Sequence, residues 1–200
     1  MRRRAALALP ALLAALLTAA PAAYARDVPL SELAKPGRVL MLRHANAPGT
    51  GDPPGFNLTD CATQRNLDAK GRDQARATGA ALRKAVPSGQ LPAVKVYSSQ
   101  WCRARDTADL LAAAAGLARP QPRAFLNSFF AEPAAAGPIL RDLRAFLAQL
   151  PRGGPPVILV THQVVISSFT DAFPDSAGGS IFEANGTGEP KWIGSLAPVA

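Results

Sequence analysis

The side chains able to do chemistry in this 200-residue chain are few, and their placement is patterned. There are two histidines, His44 and His162. His44 stands in the stretch Arg38–Pro48, RVLMLRHANAP, where the apolar run Val39–Leu42 ends in Arg43-His44 and gives way at once to small and turn residues. His162 follows a second and clearer apolar run, Val157–Thr161. Such short runs bounded by turn signals read as buried strands. In open α/β sheets, ligands bind beyond the carboxyl ends of the strands, where both imidazoles would emerge. An imidazole can attack phosphorus as a nucleophile, and a guanidinium beside it can grip phosphate oxygens through two parallel hydrogen bonds.

A third such junction supports this reading. Val94–Tyr97 reads as a strand ending in Ser98-Ser99, and Trp101–Ala108 then leads into an Ala/Leu-rich helix that stops near Gly116. Arg103 and Arg105 lie near the start of that helix, where free N–H groups and partial positive charge suit an anion. If the three strands are neighbours, His44, His162, Arg43 and Arg103 meet around one point. Cations converge only at a cost, which an anion relieves. A metal is the poorer fit. Two histidines with no Cys or acidic partner at ligand spacing make a weak zinc site, and nearby arginines repel a cation.

The remaining elements follow from the apolar pattern and its breakers. Residues 26–37 read as an irregular lead-in with one helical turn, Leu30–Ala34. Asn46–Asn66 is a long loop rich in Gly, Pro, Asn, Asp and Thr, and Pro53-Pro54-Gly55 excludes regular structure there. Beginning directly behind His44, it is placed to lie over the site as a lid. Leu67–Val86 reads as an amphipathic helix capped by Asp68, with Ala75, Thr78, Gly79, Leu82 and Val86 inward and Arg72, Arg76 and Arg83 outward. Ala124–Leu126 suggests a short edge strand, and Asn127–Gly137 a loop. A helix then begins with Pro138 at its first position and buries Ile139, Leu143, Phe146, Leu147 and Leu150. After His162 a short helix is expected from Gln163 to about Asp171, then strands near Ser180–Glu183 and Lys191–Gly194 joined at Asn185-Gly186. The sum is a single three-layer α/β/α domain, a mostly parallel sheet with helices on both faces.

Composition bounds the setting. Arg2-Arg3-Arg4, the apolar run Ala5–Ala20 and the small-x-small triplet Ala23-Tyr24-Ala25 have the form of a signal peptide, residues 1–25, cleaved after Ala25. A periplasmic or secreted protein without stable membrane association is therefore expected. Setting aside the three arginines of residues 1–25 leaves 19 Lys+Arg against 14 Asp+Glu, a surplus of 5. That balance favours anionic ligands. No basic run interleaved with aromatics is present, so nucleic acid is not an expected partner. Cys61 and Cys102, in an oxidising compartment, favour a disulfide over two buried thiols. Closing a loop of that length contributes about 4 kcal/mol by chain entropy.

Taken together, the motifs Leu42-Arg43-His44-Ala45, Leu67-Asp68-x-x-Gly71-x-x-Gln74-Ala75, Tyr97-Ser98-Ser99-x-x-x-Arg103-Ala104-x-x-Thr107-Ala108 and Val160-Thr161-His162 resemble the histidine phosphatase superfamily, the phosphoglycerate-mutase-like fold, and in particular its small exported bacterial members. The resemblance spreads over most of residues 38–170 and implies a phosphatase-like domain over 26–200. It implies a histidine acid phosphatase-type phosphoric monoester hydrolase needing no cofactor and acting on a small phosphorylated substrate. His44 is then the nucleophile, and Arg43, Arg103 and His162 surround the phosphate oxygens. The attacking nitrogen of His44 must be unprotonated and its other nitrogen held by a backbone acceptor. The chain departs from the pattern at Ala45, where relatives often have Gly, and lacks a motif that in many relatives carries a catalytic Glu. Glu132, in the loop Asn127–Pro133, is the candidate for protonating the leaving oxygen, with Asp60 in reserve. The alternative is a phosphate-binding or sensor protein of the same fold that has lost turnover.

Overall fold

A computed structural model describes residues 26–199. The expected signal peptide lies outside the described residues. Along the chain run β1 (Arg38–Arg43), α1 (Ala69–Ala85), β2 (Lys95–Ser98), α2 (Cys102–Ala115), β3 (Gln121–Pro122), α3 (Ala136–Ala148), β4 (Val157–Thr161), α4 (Gln163–Ile166), β5 (Gly179–Glu183) and β6 (Lys191–Leu196). They form one six-stranded sheet in the order β3-β2-β4-β1-β5-β6. The pairs β3/β2, β2/β4 and β4/β1 are parallel, while β1/β5 and β5/β6 are antiparallel. The architecture is the mostly parallel α/β sheet expected, with helices on both faces.

Strand alternation explains the two layers. Leu40 and Leu42 of β1, with Ile158 and Val160 of β4, face a cluster completed by Leu82 of α1 and by Ala104, Ala108 and Leu111 of α2. Val39, Met41, Val157 and Leu159 point the other way, onto Leu143 and Leu147 of α3 and Val165 and Ile166 of α4. Both central strands therefore read as unbroken apolar runs, because both of their faces are covered. Helices α1 and α2 touch closely at Gly79, where a Cβ would lie 2.3 Å from the Leu111 carbonyl oxygen.

Several boundaries differ from the sequence pattern. Ala124–Leu126 is a 3-10 turn rather than a strand, and the edge strand is Gln121–Pro122 just before it. The turn sends Leu126 into the core, and its carbonyl accepts from the Thr161 hydroxyl at 2.7 Å. Helix α3 begins at Ala136, ahead of Pro138, directly after a 3-10 turn at Pro133–Ala135. Proline costs no hydrogen bond within a first turn, whose N–H groups have no helical partner anyway. Leu143 and Leu147 are fully buried there, while Ile139, Phe146 and Leu150 are only half-buried. Helix α4 ends at Ile166, well short of Asp171. Ser167, Ser168 and Thr170 turn their hydroxyls onto backbone carbonyls, which competes with continuing the helix. The lead-in turn Leu30–Ala34, the Asp68 cap and the left-handed Gly116 at the end of α2 all stand where the sequence puts them.

Candidate active site

Three adjacent strand tips build the floor. In the β1/β4 register Arg43 lies beside Thr161, so the next residues, His44 and His162, emerge side by side. Their ring centroids are 5.3 Å apart. The His44 amide donates to the Thr161 carbonyl at 2.9 Å, and the Ser99 amide, just past β2, donates to Val160 at 2.8 Å. Helix α2 starts three residues later and brings Arg103, 97 % buried by the 3 % exposure of its surface, to the rings. Thr107, one turn further, accepts from the Ala45 amide at 3.0 Å and donates to the Arg103 carbonyl at 2.7 Å, so helix and strand tip are tied together. All four sequence-expected floor residues converge.

Hydrogen bonding fixes the state of each ring. His44 Nδ1 lies 2.8 Å from the Ala45 carbonyl oxygen, which can only accept, so Nδ1 carries the proton. Nε2 is left with its lone pair, which accepts from Arg103 Nε at 3.3 Å. The Ala45 carbonyl is thus the backbone acceptor the chemistry calls for. Burial, with added repulsion from Arg103, Arg65 and Arg43, pushes the His44 imidazole down to about 3, against the opposing bond to Ala45. His162 is held well below its ordinary value, first by burial and then by His44 and the same arginines. Its Nε2 lies 2.9 Å from the Ser99 hydroxyl. That hydroxyl donates to Asn127 Oδ1 at 3.1 Å and accepts from the Trp101 amide at 3.2 Å, so His162 Nε2 is the donor in its pair. Arg43 donates from Nη1 to the Pro174 carbonyl at 2.9 Å, whereas its Nε is buried with no partner in the protein. A buried donor left without a partner is costly unless a ligand satisfies it.

The wall of the site contains residues that the sequence pattern passes over. Asp52 sits in the long loop behind His44. Its carboxylate accepts from Arg103 Nη1 at 2.8 and 3.1 Å, from Trp101 Nε1 at 3.0 Å and from the Arg65 amide at 3.1 Å. Burial pushes this carboxyl up, but the Arg103 contact and the other donors outweigh it and hold it below its usual range. Arg65 spends its own fork within the loop, from Nε to the Gly51 carbonyl at 2.7 Å and from Nη1 to the Ala47 carbonyl. Asp52 was findable as the one acid between His44 and the Pro53-Pro54-Gly55 break. Nothing in the spacing distinguishes Arg65 from the surface arginines of α1.

The loop is fastened at several points. Cys61 and Cys102 form a disulfide that joins its far end to the first residue of α2. Gln64 Oε1 accepts from the Cys102 amide at 3.0 Å. At the near end, Asn46 donates its amide N–H to Gln74 at 2.9 Å and its side chain to Asp68 at 2.8 Å. Gly71 permits that contact, since a Cβ there would sit 2.0 Å from the Asn46 carbonyl oxygen. Asp68, Gly71 and Gln74 of the second sequence motif therefore act through the loop, not at the rings.

Floor and wall enclose a cleft of about 510 Å³, lined by Arg43, His44, Arg103 and His162 within and by Phe56, Trp101, Phe130 and Glu132 among others further out. Glu132 reaches this lining from an exposed position. Asp60 does not line it. Exposed at the surface, Asp60 caps the 3-10 turn Cys61–Thr63 by accepting from the Ala62 amide at 3.0 Å. Among the described residues no group of three His, Cys, Asp or Glu side chains is arranged to hold a metal ion.

A parallel-sheet floor with paired histidines and converging arginines has the donors to hold an oxyanion, and the fold that carries it is phosphoglycerate-mutase-like. The model of the histidine phosphatase superfamily (branch 1) matches residues 39–129, which span β1 to the loop before α3, so this stretch of the chain is similar to that superfamily. No curated protein matches the sequence. Among solved structures, the protein histidine phosphatase SixA complexed with tungstate superposes with a TM-score of 0.57 at 16% identity, over 80% of this chain and 97% of that one. A mycobacterial glucosyl-3-phosphoglycerate phosphatase complexed with inorganic phosphate gives 0.53 at 19% identity, over 82% and 97%. A phosphoglycerate mutase from Bacillus anthracis str. Sterne gives 0.56 at 16% identity, over 82% and 93%. At these identities the likeness is one of fold.

Proposed function

We propose that this protein is an exported phosphomonoester hydrolase that works through a phosphohistidine at His44. The observation that carries the reading is the state of His44: Nδ1–H bonded to Ala45 and an unprotonated Nε2 whose lone pair meets only Arg103 Nε, near the unpartnered Nε of Arg43. Two structural neighbours are complexed with oxyanions, one with tungstate and one with inorganic phosphate, which supports an oxyanion as this protein's ligand.

In the first step His44 Nε2 attacks phosphorus, the P–N bond forms and the P–O bond to the alcohol breaks. The arginine forks follow the charge on the equatorial oxygens. Positive charge on the phosphorylated imidazole is stabilised by the retained Nδ1–H bond to Ala45. His162 enters neutral, and a bound phosphate dianion favours its protonated form, which supplies a further donor. Glu132 gives the leaving oxygen its proton. The ion-paired Asp52 is already committed to Arg103 and has no proton to give. In the second step water attacks phosphorus, returns a proton to Glu132, and the P–N bond breaks to release phosphate.

Export rests on the form of residues 1–25, and the disulfide is consistent with it, since such bonds persist in oxidising compartments. Rapid acid-free quenching with 32P-labelled substrate tests the mechanism. Label should appear on the protein as an acid-labile, base-stable adduct and vanish in His44→Ala. In Glu132→Gln, hydrolysis of alkyl esters should slow by about 100-fold while p-nitrophenyl phosphate, whose leaving group needs no proton, is largely spared. Phosphate binding without turnover in the wild type would instead identify a sensor.

A further inference from the structure

Resting on the oxyanion reading of the floor, we infer that the phosphate recognised here is attached to a bulky apolar body, aromatic or alkyl, and that Phe130 is the side chain that selects it. Among the described residues only two large apolar side chains are mostly exposed, Phe130 at 58% and Phe173 at 73%. Scattered exposed apolar residues are ordinary. These two are not scattered, for Phe130 lines the cleft and Phe173 directly precedes Pro174, whose carbonyl receives Arg43. Phe130 therefore borders the cleft itself, and Phe173 stands beside the residue that holds Arg43.

The rest of the cleft lining continues the pattern. Trp101 stands edge-on to His162 at 5.5 Å, and Phe56 meets Trp101 at 5.7 Å. The indole N–H is already spent on Asp52, so toward the cleft Trp101 offers carbon. Val164 adds a further apolar surface. Phe129, next to Phe130, packs onto the core cluster shared by β1, β4, α3 and α4, so the chain holds the second ring outward on a supported segment. Polar groups do reach the lining, namely Thr50, Ser128, Glu132 and Gln163. The one basic group beyond the floor, Arg65, has its fork turned onto the Gly51 and Ala47 carbonyls. A polyol or a second anionic group would thus find only the Thr50 and Ser128 hydroxyls and the Gln163 amide as side-chain donors beyond the floor, whereas an apolar body would cover the Phe130 ring that now faces water.

Phosphonates separate this inference from turnover, because they share one headgroup and are not hydrolysed. Methyl-, octyl- and phenylphosphonate are titrated into the wild-type protein by calorimetry. The two bulky ligands should bind about tenfold or more tighter than methylphosphonate. Phenyl- ahead of octylphosphonate marks an aromatic body, and the reverse order an alkyl chain. Phe130→Ala should remove most of the gain while leaving methylphosphonate affinity unchanged, with a smaller effect from Phe173→Ala. Equal affinity for all three ligands, or an equal loss for all three in Phe130→Ala, overturns the inference. The phosphohistidine can still be trapped in that event, so the catalytic reading survives. The ranking can equally hold in a protein that traps no label, and then the catalytic reading alone fails.

Discussion

The floor and the wall of the cleft are built on different principles. His44, His162 and Ser99 follow directly from β1, β4 and β2, and the parallel ladder sets their spacing through Arg43 beside Thr161 and Ser98 beside Val160. The wall, residues 46–66, has no sheet or α-helix to hold it. Its fastenings are individual: the Asp52–Arg103 pair, the Arg65 fork, the Gln64 contact and the Cys61–Cys102 bond. A ladder positions side chains collectively, so a floor side chain can be removed while the backbone beneath it stays. A stitched loop loses part of its position with each stitch. Floor variants should therefore cost rate, and wall variants should cost order and stability before rate.

The sharpest break in that comparison is His44→Ala. Loss of the nucleophile should lower kcat by at least about 10⁴-fold, with Tm changed little or raised, since a buried imidazole that resists protonation is being removed. A steady-state assay and a thermal melt on the same sample decide it. A fall in Tm as large as that of the wall variants would erase the distinction between the two regions.

The disulfide is the strongest fastening of the wall. Its removal, by reductant or by Cys61→Ser with Cys102→Ser, should cost about 4 kcal/mol through the 41-residue separation it closes, a shift of Tm on the order of 10 °C. Affinity for phosphate should fall because Arg103 lies next to Cys102. Unchanged melting in reductant would show that the loop is held without it. Asp52→Asn comes next. The pair it breaks is well buried, with side-chain exposures of 4% for Arg103 and 8% for Asp52. Leaving a buried guanidinium half-satisfied should cost about 3 kcal/mol, and KM should rise more than kcat falls as Arg103 loses its anchor. A variant with wild-type Tm and KM would mean that Arg103 is positioned by α2 alone.

The same division separates what the sequence made legible from what it hid. A strand tip is a local pattern: Val39–Leu42 before Arg43-His44 and Val157–Thr161 before His162 announce both the element and the exit point of the side chain. The tie of Asp52 to Arg103 spans 51 positions and that of Gln64 to Cys102 spans 38, with no periodicity to signal either. Ala124–Leu126 misled for a related reason. Three apolar residues carry no period, and only the fold shows that β2 already pairs with Gln121–Pro122 and that Leu126 must turn inward. Glu132 could be placed at the cleft by its loop, whereas Asp60, the reserve candidate from the same kind of reasoning, is spent on a cap.

Acid distinguishes the two regions more finely still. In the folded protein both histidines resist protonation, while in the unfolded chain they titrate near 6.5. As pH falls below about 6.5 the unfolded state takes up protons that the folded state refuses, so stability drops, by about 1.4 kcal/mol per ring at pH 5.5. Asp52 behaves in a separate window. Its folded value is lowered, so its contribution is complete above the unfolded carboxylate value near 3.9 and is lost only as pH falls further, through the folded value. Melts between pH 7.5 and 3 should thus show a floor-derived slope beginning near neutrality and a wall-derived one beginning near pH 4. His44→Ala and His162→Ala should each flatten the upper segment, and Asp52→Asn only the lower. Saturating phosphate should flatten the upper segment too, because a bound anion lets the rings accept protons in the folded state. If the upper slope persists in both histidine variants, the imidazoles are not the groups that the folded protein holds neutral.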